Sequence, residues 1–195
     1  MKKLLITGFE PFNEDTINPS WEALKLLPSK IKGYEITKLL IPVVFGKAAE
    51  TVIEKAEELC PDVILSVGQA GGRSAVTPEL VGINLRHGNI PDNNGYQPND
   101  EPIDDNGTAA YFSTLPVRRM SEAVNARGIK SAVSYSAGAY VCNDLLYSLL
   151  RRYEKRGVRV GFIHIPYCRE QNKEPSMTLK DIATALIAAI ESIDD

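Results

Sequence analysis

Short apolar runs alternate with amphipathic segments along this chain, and that alternation restricts the fold more than any other feature. "KLLITGF" (3–9), "YEITKLLIPV" (34–43), "DVILSVG" (62–68), "IKSAVSYS" (129–136) and "VRVGFIHI" (158–165) read as strands. The third is a continuous apolar run, as in parallel strands covered on both faces. Helical segments lie between them. One opens at Asn18-Pro19, an N-cap followed by a first-turn proline, and others span 46–60, 117–128, 140–157 and 177–193. Pro61, Gly128 and Gly157 stop three of them. Strands alternating with helices join by right-handed crossovers, so the expected fold is a single-domain α/β/α sandwich over 1–195 with a mostly parallel twisted sheet.

Composition excludes several classes of function. The chain has 195 residues, enough for one domain with its own core. Its 22 basic and 25 acidic residues leave a net charge of −3, so no basic field is present to hold nucleic acid. No stretch is long enough to span a bilayer. The opening "MKKLLITGFEPF" has lysines before an apolar run, but Glu10 ends that run too early for a signal peptide. A soluble cytoplasmic protein is expected. Three widely spaced cysteines without a CxxC pair argue against a disulfide framework and a structural zinc. Two histidines and no HExxH grouping argue against metal chemistry.

One region breaks the alternation. Residues 70 to 115 hold possible strands at 80–86 and 109–114, and the sequence between them is rich in Pro, Asn, Asp and Gly. Loops of this length are usually functional or mobile. Residues 92–107 read as a surface hairpin.

In open α/β sheets ligands bind outside the carboxyl ends of the strands. Cys142 begins the helix that follows 129–136, and His164 lies near the carboxyl end of 158–165. Gly8 to Phe12 and Gln69 to Glu79 reach the same edge. Thiol, imidazole and carboxylate are the set a cysteine hydrolase needs. Each also has a plain structural reading: Cys142 and His164 as core residues, Glu79 as a turn carboxylate. The residues alone also leave His87 open as the base. A helix start with a histidine partner can lower a thiol pKa from about 8.5 to roughly 3.5–7.5. The backbone N–H of Cys142 is a natural oxyanion donor. Two rival classes stand beside this one. A nucleoside-phosphorylase-like enzyme would need "GQAGGR" as its phosphate cradle, although the Lys-Ser/Thr of a P-loop is missing. A non-enzymatic peptide-binding or thiol-sensing protein would need only an accessible Cys142.

Four stretches together resemble the pyroglutamyl-peptidase I (pyrrolidone-carboxylate peptidase) family. They are "TGFEPFNEDTINPSWEAL", "GQAGGRSAVTPELVGIN" with "IPDNNG", "SYSAGAYVCN" and "GFIHIPY". The resemblance implies a phosphorylase/hydrolase-like sandwich, a cytoplasmic homotetramer without cofactor, and removal of an N-terminal pyroglutamyl (5-oxoprolyl) residue from peptides. It implies Cys142 as nucleophile through a thioester, His164 as general base and Glu79 as the third member. Phe9, Phe12, Val44, Ile90, Tyr140, Val141 and Leu145 are then expected as pocket walls, with Gln69 where the main chain holds the lactam. Glu10 is expected to be structural. The chain departs from the family at Leu80, Gly82, Cys168-Arg169 and Asn89. The last stands where an arginine is usual, so Asn89 is expected as its substitute at the oxyanion.

Overall fold

Near-continuous apolar runs let three of the central strands bury both faces, and in this computed structural model, which describes residues 1–194, helices cover both sides of the sheet. In chain order the elements are β1 (Lys2–Phe9), α1 (Pro19–Lys25), β2 (Lys30–Ile31), β3 (Tyr34–Ile41), α2 (Lys47–Leu59), β4 (Val63–Gln69), β5 (Thr77–Pro78), β6 (Val81–Ile83), β7 (Ala110–Phe112), α3 (Val117–Ala126), α4 (Val141–Tyr153), β8 (Arg159–Ile165), β9 (Tyr167–Cys168), a 3-10 turn at Arg169–Gln171, β10 (Ser176–Met177) and α5 (Leu179–Glu191). The main sheet runs β2-β3-β1-β4-β8-β5. Its four central strands are parallel, and β2 and β5 close the edges antiparallel. The sheet is thus mixed, with the expected parallel centre.

The period of two sorts the core. Leu4, Ile6, Val63, Leu65 and Val67 face α1, α3 and α5, where they meet Leu24, Met120, Ile182 and Leu186. Leu5, Phe9, Ile64 and Phe162 face α2 and α4, where they meet Val52, Val141, Leu145 and Leu149. Helix starts follow local chemistry as well. The Asn18 side chain accepts from the Ser20 N–H at 3.1 Å ahead of Pro19, and Thr178 accepts from the Asp181 N–H at 3.0 Å.

Two expectations are corrected. Residues 129–136 form no regular strand. They run along the sheet edge through two isolated parallel bridges, Val76 to Ser131 and Glu79 to Ser134. Among the described residues, their neighbour on that edge is the segment around two-residue β5, too short to template a ladder. Residues 92–107 form no hairpin ladder of their own either. Their polar side chains strap them to the body. Asp92 accepts from the N–H of Phe45, Asn94 and Tyr96, while Asn84 accepts from the N–H of Ile103 and Asp104. The flanking expectation holds in shortened form, since β6 and β7 pair antiparallel. Among the described residues, no helix is long and apolar enough to cross a membrane.

Candidate active site

β8 is the strand around which the site is assembled. His164, its penultimate residue, is paired with Gly68 of β4 on one side and Thr77 of β5 on the other. The Glu79 N–H donates to the Phe162 carbonyl at 2.9 Å, which holds the residue after β5 alongside β8. From there the Glu79 carboxylate reaches His164, with Oε1 at 2.7 Å from Nδ1. Both side chains are almost wholly removed from water. Arg73 Nη1 donates to the same Oε1 at 2.7 Å and to Thr77 Oγ1 at 2.6 Å, and Nη2 donates to the Ser136 carbonyl at 3.0 Å. One guanidinium therefore ties the carboxylate to the segment that leads into α4.

Cys142 is the second residue of α4. Tyr140 enters in an extended conformation and supplies no side-chain cap. The first amides of a helix have no partner within it. Here the pairing resumes only at Asn143 and Asp144, which both donate to the Tyr140 carbonyl. The N–H groups of Val141 and Cys142 are left open at the positive end of the helix. The Cys142 sulfur lies over Gly68. A Cβ added there would come within 2.9 Å of Sγ and 2.7 Å of the Phe162 ring. Phe162 in turn stands 4.7 Å from the His164 ring. Gly68 thus makes room for the thiol beside its strand neighbour His164.

The electrostatics correct one expectation. Burial, followed by the charge of Glu79, pushes the Cys142 thiol up to about 12, despite the helix start and Arg73. Burial also pulls the His164 imidazole below its ordinary value, against the pull of Glu79 in the other direction. Burial would raise Glu79, but its hydrogen bond with His164 and the His164 charge, with help from Arg73, hold it below the usual carboxylate value. Near neutral pH these directions favour a neutral thiol, a neutral imidazole and a carboxylate. In that state Nδ1–H of His164 donates to Glu79 and Nε2 keeps its lone pair.

A narrow cleft opens beside the sulfur, walled by Phe9, Phe12, Val43 and Tyr140, with Asn18 and Gln69 adding polar groups. Tyr140 is held by an edge contact to Phe45 at 5.2 Å and by its hydroxyl, which donates to the Pro91 carbonyl at 3.0 Å. Of the expected wall residues, Phe9, Phe12, Tyr140 and Gln69 are on this cleft and four are not. Val44 is buried, and its neighbour Val43 takes the wall. Val141 and Leu145 are fully buried in the apolar core beneath α4, because α4 turns that face onto the sheet. Ile90 is exposed. Asn89 is exposed too, in a separate hollow with Gly88, Gln97 and Pro98, so its side chain is not brought to the sulfur. His87 pairs with Asp100 at the surface, 3.0 Å away.

Sequence reasoning missed Arg73, Val43 and the support from Asp92. Arg73 had a signal, a lone cation six residues before Glu79 in "GQAGGRSAVTPE". Its engagement with Glu79 also removes it from any phosphate cradle. A larger hollow lies elsewhere, between α2, α4 and the 103–111 region, and neither a cysteine nor a histidine lines it. Its arginines already have carboxylate partners: Arg86 with Asp144, Arg151 with Asp104, and Arg152 with Glu57.

Comparison with known proteins gives a consistent pattern. The profile described as pyroglutamyl peptidase matches residues 2–195. A pyrrolidone-carboxylate peptidase of Levilactobacillus brevis is 51% identical over 98% of this chain and 97% of its own. One from Lactobacillus johnsonii is 49% identical over 98% and 92%. Among solved structures, pyroglutamyl peptidase I of Bacillus amyloliquefaciens superposes with a TM-score of 0.95 at 45% identity, covering 100% of this chain and 96% of that one. The pyrrolidone carboxyl peptidase of Thermococcus litoralis gives 0.94 at 36% identity, covering 99% and 93%.

Proposed function

The chain belongs to the pyroglutamyl peptidase family and is a cysteine peptidase, and from its site we propose that it removes N-terminal pyroglutamyl residues from peptides through a thioester. The observation that carries this reading is the buried 2.7 Å bond from His164 to Glu79, on the strand beside the glycine that seats the Cys142 sulfur.

The chemistry follows from the resting charges. A thiol held protonated becomes a nucleophile only when its proton leaves, so attack on the pyroglutamyl carbonyl carries that proton to His164 Nε2. Glu79 steadies the imidazolium that forms, and Arg73 holds Glu79 as the anion. The open N–H groups of Val141 and Cys142 meet the oxyanion. The imidazolium then protonates the departing amine as the C–N bond breaks, leaving a thioester on Cys142. Water, deprotonated by His164, releases the free ring acid.

The cleft suits the ring. A pyroglutamyl group is uncharged and half apolar, and it carries no ammonium that would call for a carboxylate. Phe9, Phe12, Val43 and Tyr140 offer apolar walls, and Gln69 offers a polar group at one side. The proposal extends to a cytoplasmic homotetramer, in which the exposed Phe112 and Tyr135 are apolar surface that neighbouring copies could cover. Release of a reporter amine from a pyroglutamyl amide, compared with prolyl and glutamyl amides, tests the activity. The expected result is turnover of the first alone. Equal turnover of the prolyl amide removes the lactam from the recognition.

A further inference from the structure

The Glu79 carboxylate is served on one oxygen only. Oε1 takes both the His164 ring and the Arg73 guanidinium, each at 2.7 Å. Oε2 is buried and has no aligned hydrogen-bond partner. A carboxylate can accept on both oxygens, and leaving one of them dry and unserved is costly.

A donor stands on the neighbouring segment. Ser134 is the bridge partner of Glu79. Its backbone straddles the glutamate: the Ser134 N–H donates to the Pro78 carbonyl at 2.9 Å, and the Ser134 carbonyl accepts from the Leu80 N–H at 2.8 Å. Residues paired in this way send their side chains to the same face. Burial raises the Glu79 carboxyl, and after the hydrogen bond and charge of His164 the Ser134 hydroxyl is the next group that lowers it, ahead of Arg73.

That hydroxyl has one proton to give and two acceptors to choose from. One is the Ser136 carbonyl at 3.1 Å, which already receives Arg73 Nη2 at 3.0 Å. The other is Glu79 Oε2, which is charged and receives nothing. Hydrogen bonds to a charged acceptor are about twice as strong as neutral ones. The Ser136 N–H also approaches Ser134 Oγ at 3.4 Å, so the hydroxyl can accept there while it donates elsewhere. Rotation about its own side-chain bonds exchanges one acceptor for the other.

We propose that Ser134 is a positioning residue for the proton transfer, giving its hydroxyl proton to Oε2 of Glu79 so that the carboxylate stays ionised with Oε1 on His164. This rests on the reading that His164 takes the proton of Cys142. The titratable and charged groups facing Glu79 are His164 from β8, Arg73 from the loop after β4 and Cys142 at the head of α4. Ser134 adds an uncharged donor from the segment that leads into α4. Arg73 and Ser134 then hold the carboxylate from its two oxygens.

The chain has two histidines, so imidazole NMR follows His164 with His87 as an internal control. In Ser134→Ala the unsupported Oε2 binds a proton more readily and pulls harder on an imidazolium. The Glu79–His164 pair should therefore take up its proton at higher pH, with His87 unmoved. The acid limb of kcat/KM for the pyroglutamyl amide should rise with it. On the plateau kcat should fall about tenfold at unchanged KM, the cost of one hydrogen bond to a charged group that is now free to turn. Ser134→Thr keeps the hydroxyl and should restore the titration and most of kcat. A His164 titration and an acid limb that stay in place in folded Ser134→Ala overturn the proposal, even where thermal stability falls. An equal shift in Ser134→Thr overturns it too. The NMR titration needs no turnover, so it decides the role of Ser134 separately from whether the pyroglutamyl amide is cleaved.

Discussion

The two ends of the central sheet both hold an ionised carboxylate among hydrogen-bond donors, yet they put it to opposite uses. At the amino end, Asp194 accepts from Tyr34, Lys2 and Arg159 at 2.6, 2.9 and 2.7 Å. Hydrogen bonds from Tyr34 and Lys2 lead the causes that hold its carboxyl well below the ordinary range. That cluster is wet, with the Lys2 side chain 52% and Asp194 38% exposed. At the carboxyl end, Glu79 meets His164 and Arg73 at similar distances but is fully buried. Water screens the first set, and exposed ion pairs contribute about 0–1 kcal/mol. Breaking a buried charged set by removing one partner costs about 3–5 kcal/mol. The wet cluster tethers the chain ends, while the dry one can direct a proton.

The largest effect that comparison predicts is at the dry end. Cys142→Ser and His164→Ala should each lower turnover by about a thousandfold or more and still fold, and the double change should cost little more than either alone. Losses that multiply across the two changes would break the shared unit. Glu79→Gln keeps the shape and removes the charge, and it should cost about 10³–10⁴ in kcat.

Gly68→Ala tests the seat of the sulfur. The added methyl meets both Phe162 and Sγ at under 3 Å. Overpacking of that kind costs about 1–3 kcal/mol. Thermal unfolding should report that loss, together with a large fall in kcat. A normal kcat would show that the thiol can act from elsewhere.

Acid separates the ends more finely. His164 is held below its ordinary value, so below about pH 6.5, until the folded imidazole itself titrates, an unfolded chain takes up a proton that the folded one refuses. Stability should fall across that window, and the acid limb of kcat/KM should lie below about 6.5, the free imidazole value. Asp194 is held low, so its contribution is complete above about pH 4 and lost as pH falls further. Urea midpoints of Asp194→Asn should therefore differ in slope from wild type only below about pH 4. A changed slope near pH 6 would contradict the assignment to His164. At pH 7, Asp194→Asn should cost at most about 1 kcal/mol and leave kcat alone.

The smallest effect belongs to the other histidine. His87→Ala removes a surface pair with Asp100 and should change kcat/KM by less than about twofold, in line with the small worth of exposed pairs. A loss like that of His164→Ala would reverse the assignment of the base.

Much of this was legible before any coordinates. The 3–9, 34–43, 62–68 and 158–165 runs became strands within a residue or two, because alternating or continuous apolar positions leave few other ways to bury them. The carboxyl-edge rule put His164 and Glu79 on one rim from their places in those elements, and Cys142 beside them from its place after 129–136, which lies along the sheet edge though it is no strand. The same local reading failed where neighbours decide. The 129–136 segment has strand-like composition but meets only a two-residue partner, so it bridges twice and stops. The wall falls on Val43 rather than Val44, since a one-residue change of facing in a turn is invisible to periodicity.

By itself, then, the sequence determined which segments bury themselves and which chemical groups arrive at one edge, since periodicity and strand direction are properties of the chain alone. Only the tertiary structure decided what those groups are. It joined residues 85 positions apart in the Glu79–His164 bond and set Arg73 on that carboxylate. It also joined Gln69 to Gln171, 102 positions away. It raised the Cys142 thiol where its helix-start position alone suggested the reverse. The physical reason is common to all four: burial and hydrogen-bond polarity depend on what stands opposite a group across the sheet, and local sequence carries no record of that.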